Sequence, residues 1–321
     1  MGMKGRTVLI TGATAGIGRV TARELAVAGA HILLVARNRE KAEATRRWIR
    51  RAVPDAEVDL VVADLSSMAQ VRSVAEQVSS RGALNVLVNN VGAIFQQKTE
   101  TVDGIEMTFA LNHLAPFLLT NLLRDALRRG APSRVVTVSS AAHLRTGMNF
   151  DDLESRARYS AWTAYGQSKL ANLLFTYELA RRLGGSGVAA NALHPGFVAS
   201  DFGENNGAFM RVVMSVAKRL GGISVEEGAR TSIYLASADE VQGVTGKYFV
   251  KCREAESSPA SHDRQSMRRL WEISSRMTGL AAENGPAEPA SAEDEPAEGA
   301  SERAPAVRAP AKGPRERARK E

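Results

Sequence analysis

Eight residues, Thr11-Gly12-Ala13-Thr14-Ala15-Gly16-Ile17-Gly18, limit the folds open to this chain more than any other stretch. They follow a short apolar run from Thr7 to Ile10 and lead into a helical pattern that continues through Ala28 and stops at Gly29. Strand, glycine turn and helix in that order form the setting a phosphate-binding loop requires. The glycines permit a tight turn and close backbone approach. The helix N-terminus offers free N–H groups and positive potential to a pyrophosphate. A glycine-rich turn can also be only a turn, and the flanking elements are what argue for the loop.

The alternation then continues. His31 to Ala36 reads as a second buried strand, followed by Arg37-Asn38-Arg39 and a helix to about Ala52. Val58 to Ala63 is a third strand closed by Asp64-Leu65, and Ser67 with Gln70 has the spacing of a capping box for the next helix. Val86 to Val88 is a fourth strand ending in Asn89-Asn90-Val91-Gly92. A long helical run from about Gly104 to Arg129 carries Asn112, and Pro116 inside it should kink it or mark an early turn. Arg134 to Val138 is a fifth strand with Ser139-Ser140 at its carboxyl end. Val188 to Leu193 is a sixth, followed by Pro195-Gly196-Phe197-Val198. A helix from Ser224 to Ala236 precedes the seventh, Lys247 to Val250, and an amphipathic helix from about Asp263 to Met277 closes the pattern. No internal repeat is visible. Strands alternating with helices predict an α/β fold: a Rossmann-type, doubly wound, mostly parallel seven-stranded sheet in a single domain. In such a sheet ligands bind at the carboxyl ends of the strands, where the polar residues named above fall.

The residues after the second strand bear on the ligand. A free ribose 2′-hydroxyl at this position calls for a carboxylate, and a 2′-phosphate calls for a guanidinium. Arg37 stands there, with no acid before Glu40, so NADP(H) is expected over NAD(H). Arg39 either assists or is a solvated residue in the first turn of the next helix.

A second constellation lies at Ala164-Tyr165-Gly166-Gln167-Ser168-Lys169-Leu170-Ala171-Asn172. Leu170, Leu173, Leu174, Tyr177, Ala180 and Leu183 would line one face of a helix there. Tyr165 and Lys169 are then i,i+4 neighbours, and a nearby cation stabilises a phenolate and draws its pKa towards the working range. By itself the pair also fits an ordinary surface contact.

Composition sets the outer bounds. Of 321 residues 44% are hydrophobic, enough for a sizeable core. Cys252 is the one cysteine, so no internal disulfide can form. No apolar run reaches the ~20 residues of a membrane helix. The opening leads directly into the first strand without room for a signal peptide, so a cytoplasmic protein is expected. Residues 281–321 hold seven Lys/Arg, nine Asp/Glu and six of the 11 prolines, with almost no large apolar residues. They are expected to be a disordered tail, acidic from Glu283 to Glu302 and mainly basic from Arg303 to Glu321. The tail reads either as solvated chain or as a docking segment. The remainder keeps 35 basic and 26 acidic residues, scattered and without aromatic interleaving, which excludes nucleic acid as a partner. His113 and His143 have no metal-ligand spacing around them, and no metal is assigned. His194 is read as a structural residue at a strand end.

With these residues in view, the chain resembles the short-chain dehydrogenase/reductases across residues 5–280. The segments that carry the resemblance are Thr11-Gly12, Gly16 and Gly18, Asp64-Leu65, Asn89-Asn90-Val91-Gly92, Asn112, Ser139-Ser140, Tyr165 with Lys169, and Pro195-Gly196. Val91 stands where the family usually has alanine. Within the family the chain is similar to the retinol dehydrogenase branch. That likeness lies in Leu111 to Thr120, Gln167 to Asn172, His194-Pro195-Gly196, Gly246-Lys247-Tyr248-Phe249, and the 25 positions between Ser140 and Tyr165. Many animal members carry an N-terminal membrane anchor, and none is expected here.

The resemblance implies an oxidoreductase interconverting a carbonyl and an alcohol by hydride transfer. Tyr165 would be the general acid/base, and Lys169 would tune it and contact the nicotinamide ribose. Ser140 would hold the substrate oxygen, and Asn112 a water in a proton relay. Strand alternation lets only one of Ser139 and Ser140 face the cofactor, and spacing selects Ser140. Cofactor contacts are implied at Gly12, Thr14, Gly16, Ile17, Gly18, Arg37, Asp64, Leu65, Asn90, Gly92, Tyr165, Lys169, Pro195, Gly196 and Val198.

By the same resemblance, Ser200 to Gly222 would cover the substrate. Phe209, Met210, Val213, Val216, Ala217 and Leu220 keep helical spacing there, as a lid packed on its own domain or as a pocket wall that also touches membrane. Leu144, Met148, Phe150 and Trp162 could extend that wall. A lipophilic aldehyde, ketone or alcohol of the retinal/retinol kind is expected, with a steroid, quinone-like or fatty carbonyl as the alternative. A homodimer and a peripheral membrane contact are both compatible with the sequence. The rival from another class, a non-catalytic NADP-sensing protein, would lack Tyr165 or Lys169, and this chain keeps both.

Overall fold

The computed structural model describes residues 2–197 and 223–280. Its strands are β1 (Thr7–Thr11), β2 (His31–Ala36), β3 (Val58–Val62), β4 (Val86–Asn89), β5 (Ser133–Val138), β6 (Val188–His194), β7 (Tyr248–Val250) and β8 (Arg253–Glu254). They form one sheet in the order β3-β2-β1-β4-β5-β6-β7-β8. Every pairing from β3 to β7 is parallel.

The sheet thus has eight strands where seven are expected. β8 pairs antiparallel with β7 through a two-residue turn, Lys251-Cys252, in which both residues adopt positive φ (50° and 59°). That is the backbone a tight hairpin needs, built without the Asn-Gly or Asp-Gly pair that usually announces it. Two exposed residues carry no alternation to read, and the Lys247–Glu254 ion pair across the edge keeps it charged.

The connections are helices α1 (Gly16–Val27), α2 (Arg39–Ala52), α3 (Met68–Ser79), α4 (Met107–Phe109), α5 (Ala115–Leu122), α6 (Arg124–Arg129), α7 (Ala161–Arg182), α8 (Val225–Ser237) and α9 (Arg264–Thr278). The period-two pleat sends alternate strand residues into two separate cores. Leu9, Leu33, Leu87 and Val135 pack with α3, α5, α7 and α9 on one face. Val8, Ile10, Ile32, Leu34, Val86, Val88 and Val136 pack with α1, α2 and α8 on the other.

Local chemistry explains most helix starts. Asn38, Ser160, Ser224 and Asp263 accept backbone N–H bonds as the N-caps of α2, α7, α8 and α9. Two starts differ from expectation. Ser67 precedes α3 without capping it; Gln70 instead accepts from the Asp64 N–H, and Asp103 accepts from the Met68 N–H. The long run around Asn112 is also not one helix: a π-helical turn, Ala110–Leu114, separates α4 from α5. Pro116 has no N–H to return to the Asn112 carbonyl four residues back, so regular α geometry cannot continue there.

Residues 200–222 and 281–321, which hold the expected lid and tail, lie outside the described residues, as does Val198.

Candidate active site

The end of β5 places the two serines in opposite directions, as a pleated strand must. Ser139 donates from Oγ to the Lys169 carbonyl at 2.7 Å and is buried against α7. Ser140 turns the other way: its side chain hydrogen-bonds Tyr165, and its Oγ accepts from the Ala142 N–H at 3.2 Å. Of the two, only Ser140 reaches the phenol.

Tyr165 and Lys169 lie one turn apart on α7, exposed by 8% and 2%. The Lys169 Nζ sits 5.5 Å from the centre of the Tyr165 ring and donates to the Val138 carbonyl at 3.1 Å. Burial pushes the phenol up to about 12, against a smaller opposing pull from its bond with Ser140. The same burial pushes the ammonium down to about 8. In the chain alone desolvation therefore outweighs the lowering that a neighbouring cation exerts on a tyrosine. α7 itself is buried around nearly its whole circumference, not on one face, because β6, the α9 helix and the chain after β8 enclose it.

Asn112 comes to the same place from the π-helical turn. Its Oδ1 accepts from the Ala93 N–H at 2.8 Å, and its Nδ2 donates to the Ala93 carbonyl and to Ser168 Oγ. The amide thus holds the chain after Gly92 against α7, and the backbone carbonyl receives no α-helical bond because Pro116 has no N–H. Gly92 is the gap between them: a Cβ there would lie 3.0 Å from Lys169 Nζ and 3.5 Å from Asn112 Oδ1.

The glycine turn is braced from beneath. Asn90 Nδ2 donates to the Thr11 and Gly12 carbonyls at 2.8 and 3.1 Å, and Thr11 Oγ1 accepts from the Asn90 and Val91 N–H groups. Gly12 and Gly16 have positive φ (66° and 52°), and a Cβ on Gly18 would fall 2.4 Å from Asn90 Nδ2. The 12-residue α1 that follows has no side-chain cap and no acid in its first turn, so its leading N–H groups stay available to an anion. Thr14 and Ile17 are half-buried along this turn. These residues fit the pyrophosphate of a dinucleotide.

Arg37 is exposed at the end of β2, and no hydrogen bond or ion pair among the described residues holds its guanidinium. Arg39 is the exposed first residue of α2. At the end of β3, Asp64 accepts from Ser66, while Leu65 packs into the core and offers a ligand only its backbone. Pro195 and Gly196 follow β6; Gly196 has φ of 92°, and a Cβ there would strike Ile223. Leu144, Trp162 and Phe197 are exposed large apolar residues, 57%, 62% and 59% accessible. Met148 and Phe150 pack on the main core instead, Phe150 beneath Arg269.

Sequence reasoning missed Thr11, Ser139 and Ser168 as working parts. Each acts on backbone or on another motif residue, and a motif read by spacing gives no sign of such bonds.

A glycine turn braced at the head of α1, with Ser140, Tyr165 and Lys169 converging at the end of β5, is the arrangement expected of a nucleotide-dependent dehydrogenase on a doubly wound sheet. Residues 6–210 match the family model for short chain dehydrogenase. The chain is 44% identical over 298 residues to retinol dehydrogenase 14 of Homo sapiens, covering 87% of this chain and 88% of that one. A crystal structure of a protein from Mycobacterium Paratuberculosis is similar at 36% identity with a TM-score of 0.70, covering 86% of this chain and 94% of its own. The RhlG/NADP active-site complex from Pseudomonas aeruginosa is 28% identical with a TM-score of 0.61, over 77% and 94% of the two chains. The protein belongs to the short-chain dehydrogenases, a family of NAD(P)-dependent oxidoreductases, and within it is retinol dehydrogenase-like. Among the described residues no helix is long and apolar enough to cross a membrane.

Proposed function

We propose that the chain is an NADP(H)-dependent oxidoreductase that interconverts a carbonyl and an alcohol on a lipophilic small molecule. The observation that carries this reading is the meeting of Ser140, Tyr165 and Lys169 at the end of β5, where a Cβ on Gly92 would crowd the Lys169 ammonium. The bound nicotinamide would supply the hydride. The protein's own groups do the rest. Tyr165, held at about 12, is protonated at neutral pH, the form that donates to a carbonyl oxygen. Ser140 holds that oxygen beside the phenol, and Lys169 balances the phenolate left after donation. The Asn112 carbonyl, freed by Pro116, takes the water that leads the proton back to solvent.

Arg37 supports NADP(H), because an exposed guanidinium with no partner among the described residues suits a 2′-phosphate. Exposed Leu144, Trp162 and Phe197 support a lipophilic substrate, as does the 44% identity to a retinol dehydrogenase. Residues 1–280 are taken as the catalytic unit, in the cytoplasm.

Initial rates of NADPH consumption against retinal, alkyl aldehydes, steroids and small ketones test the reading, with NADH in parallel. Turnover of an apolar carbonyl with NADPH and weak turnover with NADH is the expected result. Equal rates with NADH would overturn the role given to Arg37, and preference for a small polar ketone would overturn the lipophilic substrate.

A further inference from the structure

The peptide unit that follows Ser140 is gripped from both sides by imidazoles. On one side His143, in the 3-10 turn Ala141–Arg145, directs Nδ1 at the Ser140 carbonyl, 2.6 Å away. Its other nitrogen, Nε2, accepts from the Ser258 N–H at 3.2 Å. A nitrogen that accepts cannot carry a proton, so the proton of neutral His143 is on Nδ1 and is donated to Ser140. On the other side His194, the last residue of β6, accepts from the Ala141 N–H on Nδ1 at 3.3 Å. One imidazole donates to the C=O of this peptide unit and the other accepts from its N–H.

The grip is itself anchored. His143 is fully buried and meets the Tyr248 ring edge-on at 5.3 Å. The neighbour of Ser258, Ser257, bonds Tyr177, Ser261 and His262 through its hydroxyl at 2.7, 2.7 and 2.9 Å. Burial holds both histidines below their ordinary range, at His143 against an opposing pull from its bond to Ser140 and at His194 with a further lowering from His143, so both keep the lone pairs these bonds use.

Ser140 needs such support. It is the point at which extended β5 gives way to a 3-10 turn, and rotation of the peptide unit beyond it would swing the hydroxyl away from Tyr165. We infer that His143 and His194 are positioning residues that fix the Ser140–Ala141 peptide unit and so hold the Ser140 hydroxyl on Tyr165. The inference rests on the reading that Ser140 holds the substrate oxygen.

Two variants of one residue separate positioning from mere packing. His143→Asn keeps a donor near the Nδ1 position and gives up the bond from Ser258. His143→Gln keeps an acceptor near Nε2 and gives up the donor to Ser140. Loss of a bond that positions a reacting group is expected to lower kcat about tenfold or more. The expected result is therefore a fall of that size for His143→Gln, a fall within about threefold for His143→Asn, and unchanged NADPH affinity in both. In a Ser140→Ala background, His143→Gln should cost little further, because the group it positions is gone. His194→Asn, which keeps an acceptor, against His194→Leu repeats the contrast at the second histidine if the His143 variants do not fold. Equal losses for Asn and Gln at position 143, or the same loss with and without the Ser140 hydroxyl, would overturn the inference. Full activity in Ser140→Ala alone would overturn the underlying reading of Ser140, a separate and recognisable failure.

Discussion

Lys169 is a charged group almost without water, directed past Tyr165 at a single backbone carbonyl. Burial brings its pKa to about 8, and that places its loss of charge within reach of an ordinary pH profile. Below that value the ammonium can balance the phenolate formed when Tyr165 donates; above it the neutral amine cannot. The reductive kcat should therefore fall as pH rises through about 8, and a rate that climbs through pH 9 would contradict the role given to Lys169. Tyr165, Lys169 and Ser140 were legible in the sequence because each side chain faces a site whose spacing it shares with neighbours. Thr11 and Ser168 were not. Thr11 bonds backbone groups of β4 and the chain after it, and Ser168 accepts from the Asn112 amide; only the folded chain brings either pair within reach.

At the scale of elements, α9 closes the active-site helix on its outer side. Trp271 lies 5.0 Å from Phe117 and 6.0 Å from Phe175 between ring centres, with the Arg182 guanidinium 4.3 Å above its ring. His113, from the π-helical turn that carries Asn112, reaches Ser274 of α9 at 2.9 Å. Truncating Trp271 should remove aromatic packing from both α5 and α7, and Trp271→Ala is expected to cost about 3 to 5 kcal/mol in urea unfolding. A loss under about 1 kcal/mol would show that α9 is not part of this core. The amphipathic pattern of α9 was plain in the sequence, and so was Pro116 as an interruption. That the interruption takes the form of a π-helical turn was not. The choice depends on what Asn112 bonds to, and Ala93 and Ser168 lie 19 and 56 residues away in the chain.

Across the whole molecule, strand order reverses between β1 and β4, and ligand-facing groups collect at the carboxyl ends there, as doubly wound sheets require. Seven strands were readable as apolar runs because both faces of the sheet are covered; β8, at an exposed edge, was not. Burial of the core also sets a dependence on acid. His113 is buried and pushed to about 4 from an ordinary 6.5. At pH above 6.5 it is neutral in both folded and unfolded chains and contributes no pH dependence. Between 6.5 and about 4 the unfolded chain takes up a proton that the folded chain refuses, so stability falls as pH falls across that window. The full drop amounts to about 3 kcal/mol. His113→Asn should flatten this part of the urea-unfolding profile between pH 7 and 4; an unchanged slope would place the acid lability elsewhere.

The central claim is that Tyr165 transfers the proton while the rest of the fold holds the cofactor. Tyr165→Phe removes one hydroxyl from a buried ring, so turnover and NADPH affinity should separate. The decisive measurement is the pair of kcat with the best carbonyl and NADPH Kd by fluorescence titration, on the parent chain and this variant together. The account predicts loss of turnover by about 10²-fold or more, the scale of general acid catalysis, with Kd changed by less than about threefold. Retained turnover in Tyr165→Phe would contradict it.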